Sequence, residues 1–255
     1  MMELLTGLRR VEHVMGTAIS VHIADPLPRR DLDLLMDQAF AWFHDVDRRF
    51  STYKDDSEIM LLNRGERTLA DCSSTVRDVL DACAMLATAT DGYFDVHATG
   101  RLDPSGYVKG WAVQRASDRL VAAGSVNHCL NAGGDVRVRG EEVPGVPWRV
   151  GIRHPFEADK LAWVVAGTDL GVATSGTYER GFHVIDPRCG LAARGLCSVS
   201  IVGPDLGFAD AYATAGVAMG LPGLNWLAAL DGYETAVVTA AGEAYRSEGL
   251  PLAGP

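Results

Sequence analysis

Near Gly124 the spacing of apolar residues changes, and this change restricts the folds open to the chain. Upstream, three stretches carry apolar side chains at helical spacing: 31–48, 75–90 and 106–123. Downstream, short apolar segments lie between turn residues, at 136–138, 148–152, 161–166, 171–174, 182–185 and 197–202. Several of these segments are too close together for a helical crossover, so the pattern favours antiparallel strands.

The remaining segments complete an α+β pattern. Alternation over 11–23 predicts a strand that breaks at Gly16. Two more helices are expected at about 209–219 and 223–230, and a final hairpin at 234–246. Three residues are expected to mark helix ends: Asp31, Ser105 and Gly92. We therefore predict a single α+β domain over residues 1–255, with a mainly antiparallel sheet packed against helices.

Composition excludes several classes of partner and compartment. The 255 residues carry a formal charge of −10, so nucleic acid and anionic membrane surfaces are poor partners. Five cysteines without a Cys-x-x-Cys pair predict thiols in a reducing compartment, not a zinc site or a disulfide framework. Residues 1–5 lack the basic and apolar regions of an export signal, and no apolar run approaches the roughly 18 residues of a membrane span. A cytoplasmic protein is expected.

One candidate site lies at the start of the helix near residue 106. Asp103-Pro104-Ser105-Gly106 precedes Lys109, and the free N–H groups of a helix N-terminus attract phosphate. Lys109 would add a full positive charge one turn into the helix. The same residues are equally typical of an Asp/Ser cap followed by a solvated lysine.

Other candidates are equally open when taken one at a time. Asp210 and Thr214 share a helix face and offer oxygen ligands for Mg²⁺ or Ca²⁺, although an aspartate at a helix start is common without a metal. Asp95 is either a ligand-facing acid or a turn residue, and His183 in a short strand is more often structural. Asn131–Asp135 is typical of a hairpin turn and also of a close backbone approach to a ligand. The chain has no Rossmann glycine motif, no P-loop and no nucleophile elbow.

The order of these pieces is more specific than any one of them. Nine blocks follow one another over residues 12–220: Met15–Thr17; Phe50–Tyr53 with Ser57–Glu58 and Leu62–Asn63; Asp91–Asp95; Asp103–Gly110; Asn131–Asp135; Trp148–Ile152; Ala173–Arg180; His183–Pro187 with Gly190; and Ala209–Ala211 with Thr214. This order resembles the FAD:protein FMN transferase family, ApbE, in a short form without an export signal.

The resemblance implies an enzyme of phosphoryl transfer. Family members split the pyrophosphate of FAD, attach FMN to a Thr or Ser hydroxyl of a target flavoprotein and release AMP. The acceptor carries an Asp-x-x-Ser/Thr-Gly-Ala-Thr-like sequence. Some members hydrolyse FAD to FMN and AMP instead. The implied fold is α+β and the implied metal is Mg²⁺, which would lower the charge barrier of the diphosphate.

The resemblance also assigns residues, within a site built from about 15–214. The residues implied to contact FAD are Met15, Tyr53, Tyr93, Phe94, Asp95, Asp103, Lys109 and Ile185. The implied metal ligands are the side chains of Asp210 and Thr214 and the carbonyl of Gly106. His183 lies where the family activates the acceptor hydroxyl, so His183 and Asp210 are the catalytic candidates.

This sequence departs from the family pattern at a few positions. Seven residues separate Asp95 from Asp103, where many members have a longer insertion. Gly106 replaces a common Ala or Ser, His97 replaces a small or hydroxyl residue, and Cys189 replaces a Thr. Two alternatives to transfer stay open: a Mg²⁺-dependent FAD pyrophosphatase, and a non-catalytic flavin-binding protein. Retention of Asp210, Thr214 and Lys109 disfavours the second, because storage needs no metal.

Overall fold

The computed structural model describes residues 7–176 and 184–254. The strands are β1 (Leu8–Val14), β2 (Thr17–Ile23), β3 (His128–Ala132), β4 (Asp135–Arg139), β5 (Glu141–Val143), β6 (Val146–Arg153), β7 (Leu161–Gly167), β8 (Asp169–Gly176), β9 (Ile185–Asp186), β10 (Leu191–Ala192), β11 (Leu196–Gly203), β12 (Glu234–Thr239) and β13 (Ala244–Arg246). The α-helices are α1 (Arg29–Phe50), α2 (Glu58–Asn63), α3 (Ser74–Ala89), α4 (Ser105–Ala122), α5 (Leu206–Met219) and α6 (Gly223–Ala228). A 3-10 turn covers Leu69–Asp71.

An eight-stranded sheet organises the described residues. Its strand order is β1-β2-β3-β4-β8-β11-β12-β13, and every neighbouring pair is antiparallel. Strands β9 and β10 form a separate two-stranded sheet, and β5, β6 and β7 form a third. The predicted α+β class with mainly antiparallel pairing is therefore confirmed.

One face of the large sheet is covered by helices. Helix α1 buries one stripe of side chains at helical spacing: Leu32, Leu35, Met36, Ala39, Phe40, Phe43 and Val46. These side chains share a core with inward-facing residues of the sheet such as Ile19, Val21 and Leu130. None of the helices in 7–176 and 184–254 combines the length and hydropathy that crossing a bilayer requires.

The opposite face of the sheet is covered by the β6–β7 hairpin. Alternate residues of β6 are buried: Trp148, Val150 and Ile152. They form a second apolar cluster with Val136 and Val138 of β4. Because side chains alternate along a strand, Asp135 and Arg137 of β4 must then point to the helix-covered face.

Helices α4 and α5 pack closely because Gly110 has no side chain. A Cβ added at Gly110 would lie 2.4 Å from the carbonyl oxygen of Leu206 and 2.8 Å from Cβ of Asp210. At Gly207, on the facing helix, a Cβ would lie 3.1 Å from Cα of Trp111. The small residues thus bring the first turns of α5 against α4, where the metal candidates lie.

Two predicted caps are wrong and one is confirmed. Asp31 lies inside the first turn of α1, whose N-cap is Pro28, and Ser105 is the first residue of α4, whose N-cap is Pro104. A backbone N–H at a helix start has no partner within the helix. Proline has no N–H, so it suits these positions. The expected stop at Gly92 is confirmed, since its N–H donates to the carbonyl of Ala87 at 2.7 Å and its φ is +79°.

Candidate active site

A cavity of about 700 Å³ opens between the helices, the β1–β2 turn and the β9–β10 hairpin. It is lined by every implied FAD-binding or metal residue: Met15, Tyr53, Tyr93, Phe94, Asp95, Asp103, Gly106, Lys109, Ile185, Asp210 and Thr214. His183 lies outside the described residues. A second groove of about 570 Å³ between α1 and α4 contains none of these side chains. The first cavity is therefore the candidate active site.

Lys109 lies between two buried carboxylates. Its Nζ donates to Oδ2 of Asp135 and lies 3.7 Å from Oδ1 of Asp210. Asp210 Oδ2 accepts the N–H of Gly110 at 3.0 Å, and Asp135 Oδ1 accepts the N–H of Thr174 at 3.3 Å. The side chains of Asp135 and Asp210 are 0% and 3% exposed, so these charges have little help from water. With both carboxylates ionised, one negative charge in this group is uncompensated.

The pKa of Asp210 reflects this imbalance. Burial raises the pKa of the Asp210 carboxyl well above its usual range, and the neighbouring charge of Asp135 raises it further. Lys109 and the N–H of Gly110 act in the opposite direction without cancelling these effects. A cation bound here would favour the ionised carboxylate and offset the uncompensated negative charge.

The oxygen donors beside Asp210 fit Mg²⁺. Thr214 follows one turn later on α5, and its hydroxyl oxygen lies 3.1 Å from that of Ser175 on β8. Gly106 packs directly against Thr214: a Cβ added at Gly106 would lie 3.4 Å from the threonine hydroxyl oxygen. Carboxylate, hydroxyl and carbonyl oxygens are the ligands that Mg²⁺ prefers, and the uncompensated charge adds electrostatic attraction.

The charged side chains near Thr214 do not form a conventional cluster of metal ligands. Among the residues that the structure describes, no group of three or more His, Cys, Asp or Glu side chains is arranged to hold a metal. A site here would therefore depend on neutral oxygens as well as on Asp210. Mg²⁺ tolerates such a set because it keeps water and substrate phosphate among its ligands.

Asp103 has a structural contact at the start of α4. Its Oδ1 accepts the N–H of Ser105 at 3.0 Å, so the carboxylate caps the turn that leads into the helix. The Asp103 backbone N–H donates to the carbonyl of Val96 at 2.7 Å, and the Asn63 side chain holds Leu102 through two hydrogen bonds. These contacts fix the short segment between Asp95 and Asp103 against the cavity.

The three aromatic candidates differ strongly in exposure. Phe94 is 3% exposed and packs in the apolar core, whereas Tyr53 is 93% exposed at the cavity rim. Tyr93 is half-buried, so its exposure lies between those of Phe94 and Tyr53. Phe94 therefore forms a fixed part of the wall, and the two tyrosines offer more of their rings to a bound ligand.

Met15 reaches the cavity through a tight hairpin turn. Met15 and Gly16 have φ values of +57° and +71°, which are uncommon for a residue such as methionine. On the facing hairpin, a Cβ at Gly133 would lie 2.5 Å from the Thr17 hydroxyl oxygen. Gly133 therefore permits a close approach of two turns beside the site, whereas Gly16 suits the positive φ of its own turn.

The residue assignment from sequence missed Asp135, Ser175 and Thr174. Asp135 belongs to the Gly133-Gly134-Asp135 stretch, which is equally typical of a turn, and nothing local shows that its carboxylate is buried beside Lys109. Ser175 and Thr174 lie in the Ala173–Arg180 block, and both line the cavity. Register in β8 decides which side chain faces α5, and register follows from tertiary pairing.

Two departures from the family pattern lie away from the charged group. His97 is exposed, and its N–H donates to Asp95 Oδ1 at 2.8 Å. Cys189 is exposed in the turn between β9 and β10, with its sulfur 3.3 Å from Oδ2 of Asp186. Neither side chain is among those that line the cavity.

The comparison with known families identifies the chain. The model of the ApbE family matches residues 15–101 and 97–237. The chain belongs to the ApbE family. The matched ranges contain the complete cavity lining, so the site lies within the ApbE unit.

Similar proteins carry a consistent name. A FAD:protein FMN transferase of Rhodobacter capsulatus is 42% identical over 123 residues, covering 45% of this chain and 23% of that protein. A FAD:protein FMN transferase of Vibrio cholerae is 32% identical over 129 residues, covering 47% of this chain and 39% of that protein. The matches therefore span less than half the length of these ApbE relatives.

A solved structure shares the fold. The flavin transferase ApbE from Vibrio cholerae matches with a TM-score of 0.84 at 21% identity, covering 97% of this chain and 100% of that chain. At this identity the likeness shows the ApbE fold and nothing finer. It agrees with the antiparallel sheet and helical layer described above.

Proposed function

We propose that this chain transfers the FMN moiety of FAD to a Thr or Ser hydroxyl of a target flavoprotein and releases AMP. The observation that carries the proposal is the contact of Lys109 with the buried carboxylates of Asp135 and Asp210 at a cavity of about 700 Å³ that Lys109 and Asp210 line. A cavity of this size suits a large ligand, and the charged group suits a metal-assisted phosphate reaction. Family membership supports the same reaction.

The proposed reaction exchanges the phosphoanhydride bond of FAD for a phosphoester bond to the acceptor. The acceptor oxygen bonds to the FMN phosphorus while the bond from that phosphorus to the bridging oxygen breaks, and AMP departs with that oxygen. The acceptor hydroxyl loses its proton in the same process. Catalysis of this kind depends on positioning and on neutralising phosphate charge.

Lys109 is proposed to contact the phosphates of FAD. Its ammonium group is held by Asp135 and lies near Asp210, and it lines the cavity. Both acids fix the position of a long, flexible side chain before substrate arrives. Asp135 is therefore proposed as a positioning residue for Lys109.

Asp210, Thr214 and the Gly106 carbonyl are proposed to hold Mg²⁺. When bound, Mg²⁺ would neutralise phosphate charge and that of the departing AMP. The chain contributes a preformed carboxylate, fixed by the N–H of Gly110, and a hydroxyl fixed by Ser175. Asp210 is buried and Thr214 is half-buried, which restricts competing water.

The rest of the lining is proposed to hold FAD. Tyr53 and Tyr93 would contact ring faces, Phe94 would support the wall, and Met15 and Ile185 would add apolar contacts. Asp95 and Asp103 would accept hydrogen bonds from the ligand. His183 is proposed, from the sequence alone, to take the proton of the acceptor hydroxyl.

The experiment measures both products of the proposed reaction. Purified protein is incubated with FAD and Mg²⁺, with and without a domain carrying an Asp-x-x-Ser/Thr-Gly-Ala-Thr-like sequence. AMP is measured by chromatography, and attached flavin by in-gel fluorescence and intact mass. Mg²⁺-dependent AMP release with acceptor labelling is expected. The same assay on Asp210→Ala should lose turnover, whereas Asp159→Ala, an exposed loop variant, serves as the matched control.

Other outcomes identify the alternatives. AMP and free FMN without labelling of any tested acceptor would point to an FAD pyrophosphatase, in which water replaces the acceptor hydroxyl. Bound FAD without AMP would point to a flavin-binding protein. A cytoplasmic location is part of the proposal, and cell fractionation with an antibody to this chain tests it.

A further inference from the structure

The β9–β10 hairpin forms one wall of the cavity and is not part of the large sheet. Val184 and Ile185 line the cavity at its base. In the turn between β9 and β10, the N–H of Arg188 donates to Asp186 Oδ1 at 2.9 Å, and the N–H of Gly190 donates to the Asp186 carbonyl at 2.8 Å. Asp186 thereby fixes the turn that presents the Arg188 side chain.

Arg188 reaches across to the segment that follows α3. Its Nη2 donates to the carbonyl of Asp91 at 3.0 Å and to the Asp91 carboxylate, 97 residues away in sequence. The guanidinium carbon also lies 4.1 Å from the centre of the Tyr93 ring. We call Arg188, Asp91 and Tyr93 the Arg188 clasp.

The backbone of Asp91 takes part in ending α3, and its carboxylate does not. Asp91 has a φ of +52°, and its N–H donates to the Thr88 carbonyl at 3.2 Å as part of the helix stop that Gly92 completes. Glycine is the usual residue at this left-handed position, and aspartate is less favoured there than glycine. The helix stop therefore does not require a carboxylate, whereas the contact with Arg188 uses one.

We propose that the Arg188 clasp positions the Tyr93 ring and the hairpin wall for FAD. This inference rests on the proposed function, because it assumes that FAD occupies the cavity. Arg188 does not itself line the cavity, so it acts through Tyr93 and through Ile185 on the same hairpin. It is a positioning residue and not a catalytic residue.

The physical effect is preorganisation. Tyr93 is half-buried and its ring is free to change rotamer unless another group holds it. Without the clasp, FAD binding must order both the ring and the hairpin, which weakens affinity. The Arg188 clasp holds groups proposed to bind FAD and does not include the charged group around Asp210, so we expect KM to change more than kcat.

The expected size is moderate because the ion pair is exposed. The Arg188 and Asp91 side chains are 49% and 90% exposed, and such pairs alone contribute little. Stacking on Tyr93 adds a second contact of similar strength. We expect Arg188→Ala to weaken FAD binding about five- to tenfold.

The experiment uses four single variants and one double variant of the whole chain and measures FAD affinity by fluorescence quenching. Arg188→Ala removes the clasp, and Arg188→Lys keeps the charge but loses the flat guanidinium, so its affinity should lie between that of the alanine variant and the wild type. Asp91→Gly removes the carboxylate while suiting the left-handed backbone, so FAD binding should weaken with the melting temperature kept within about 3 °C. Arg194→Ala, an exposed arginine beyond β10, is the charge-matched control with unchanged affinity.

The double variant Arg188→Ala with Asp91→Gly separates a joint action from two independent effects. If the clasp acts as one unit, the double variant binds FAD no more weakly than Arg188→Ala alone. Wild-type affinity in Arg188→Ala, or effects that multiply in the double variant, would overturn the inference while leaving the proposed function intact. Wild-type protein that neither binds FAD nor releases AMP would overturn both.

Discussion

Gly110 is the residue that permits α4 and α5 to touch beside the charged group. In Gly110→Ala, the new methyl carbon would lie 2.4 Å from the Leu206 carbonyl oxygen and 2.8 Å from Cβ of Asp210. Both distances are about 1 Å shorter than ordinary contact. Neither neighbouring atom can rotate away, so the two helices must move apart.

The magnitude follows from three effects. Overpacking costs about 1–3 kcal/mol. Weakening the buried hydrogen bond from the Gly110 N–H to Asp210 costs about 1.5–3 kcal/mol. Alanine in place of glycine inside a helix returns about 1 kcal/mol. We expect a net loss of about 1.5–5 kcal/mol in the free energy of unfolding.

Urea unfolding followed by tryptophan fluorescence measures this loss. Gly106→Ala, one turn earlier on α4, is the matched control for stability. Its added Cβ would lie 3.3 Å from the Phe94 ring and 3.4 Å from the Thr214 hydroxyl oxygen, so we expect a change within about 1 kcal/mol. A Gly110→Ala protein as stable as the wild type would refute the close packing of α4 on α5.

Three further predictions concern groups near or behind the site. Burial lowers the pKa of His128 from 6.5 to about 4, so between pH 4 and 6.5 the unfolded state binds more protons than the folded state. The free energy of unfolding should therefore fall by about 3 kcal/mol as pH drops from 7 to 4. Urea unfolding over this pH range measures the fall, and His128→Gln should give a flatter profile. The pKa of Asp210 is raised in the folded protein, so the stability contributed by its protonated form is lost as pH rises. Asp210→Asn should therefore raise the melting temperature in chelator at neutral pH, and it should abolish any rise in melting temperature on adding Mg²⁺. An unchanged rise with Mg²⁺ would exclude this carboxylate as a ligand. Asn63→Ala removes both hydrogen bonds to Leu102 and should lower stability by about 1–2 kcal/mol in the same urea assay, whereas an unaltered midpoint would show that the segment before α4 is held by other contacts.

Helices with a long apolar stripe were predictable, and their ends were less so. The spacing predicted 31–48 for a helix that spans Arg29–Phe50, because each added turn repeats the same signal. Helix α2 has six residues, which is too short for a period to emerge. The cap at Pro104 was missed because Asp103 and Ser105 both have the composition of an N-cap.

For the candidate site, the order of the nine sequence blocks along the chain predicts one shared site. The local chemistry of each block alone leaves its role open. The implied lining residues in the described ranges do share one cavity, although their roles stay predictions. Asp135 was not assigned because its importance comes from burial beside Lys109, and burial follows from the packing of β4 under α4. The contact between Arg188 and Asp91 joins two segments 97 residues apart, which no local pattern reveals.

The scattered origin of the cavity walls has a kinetic consequence. Met15 lies on the first hairpin and Thr214 on α5, and the strands between them pair across long stretches of chain, as β2 does with β3. Contacts of high sequence separation form late, because closing long loops costs entropy. A chain that has folded only its early segments would lack one side of the pocket, so ligand capture should begin only when folding is complete.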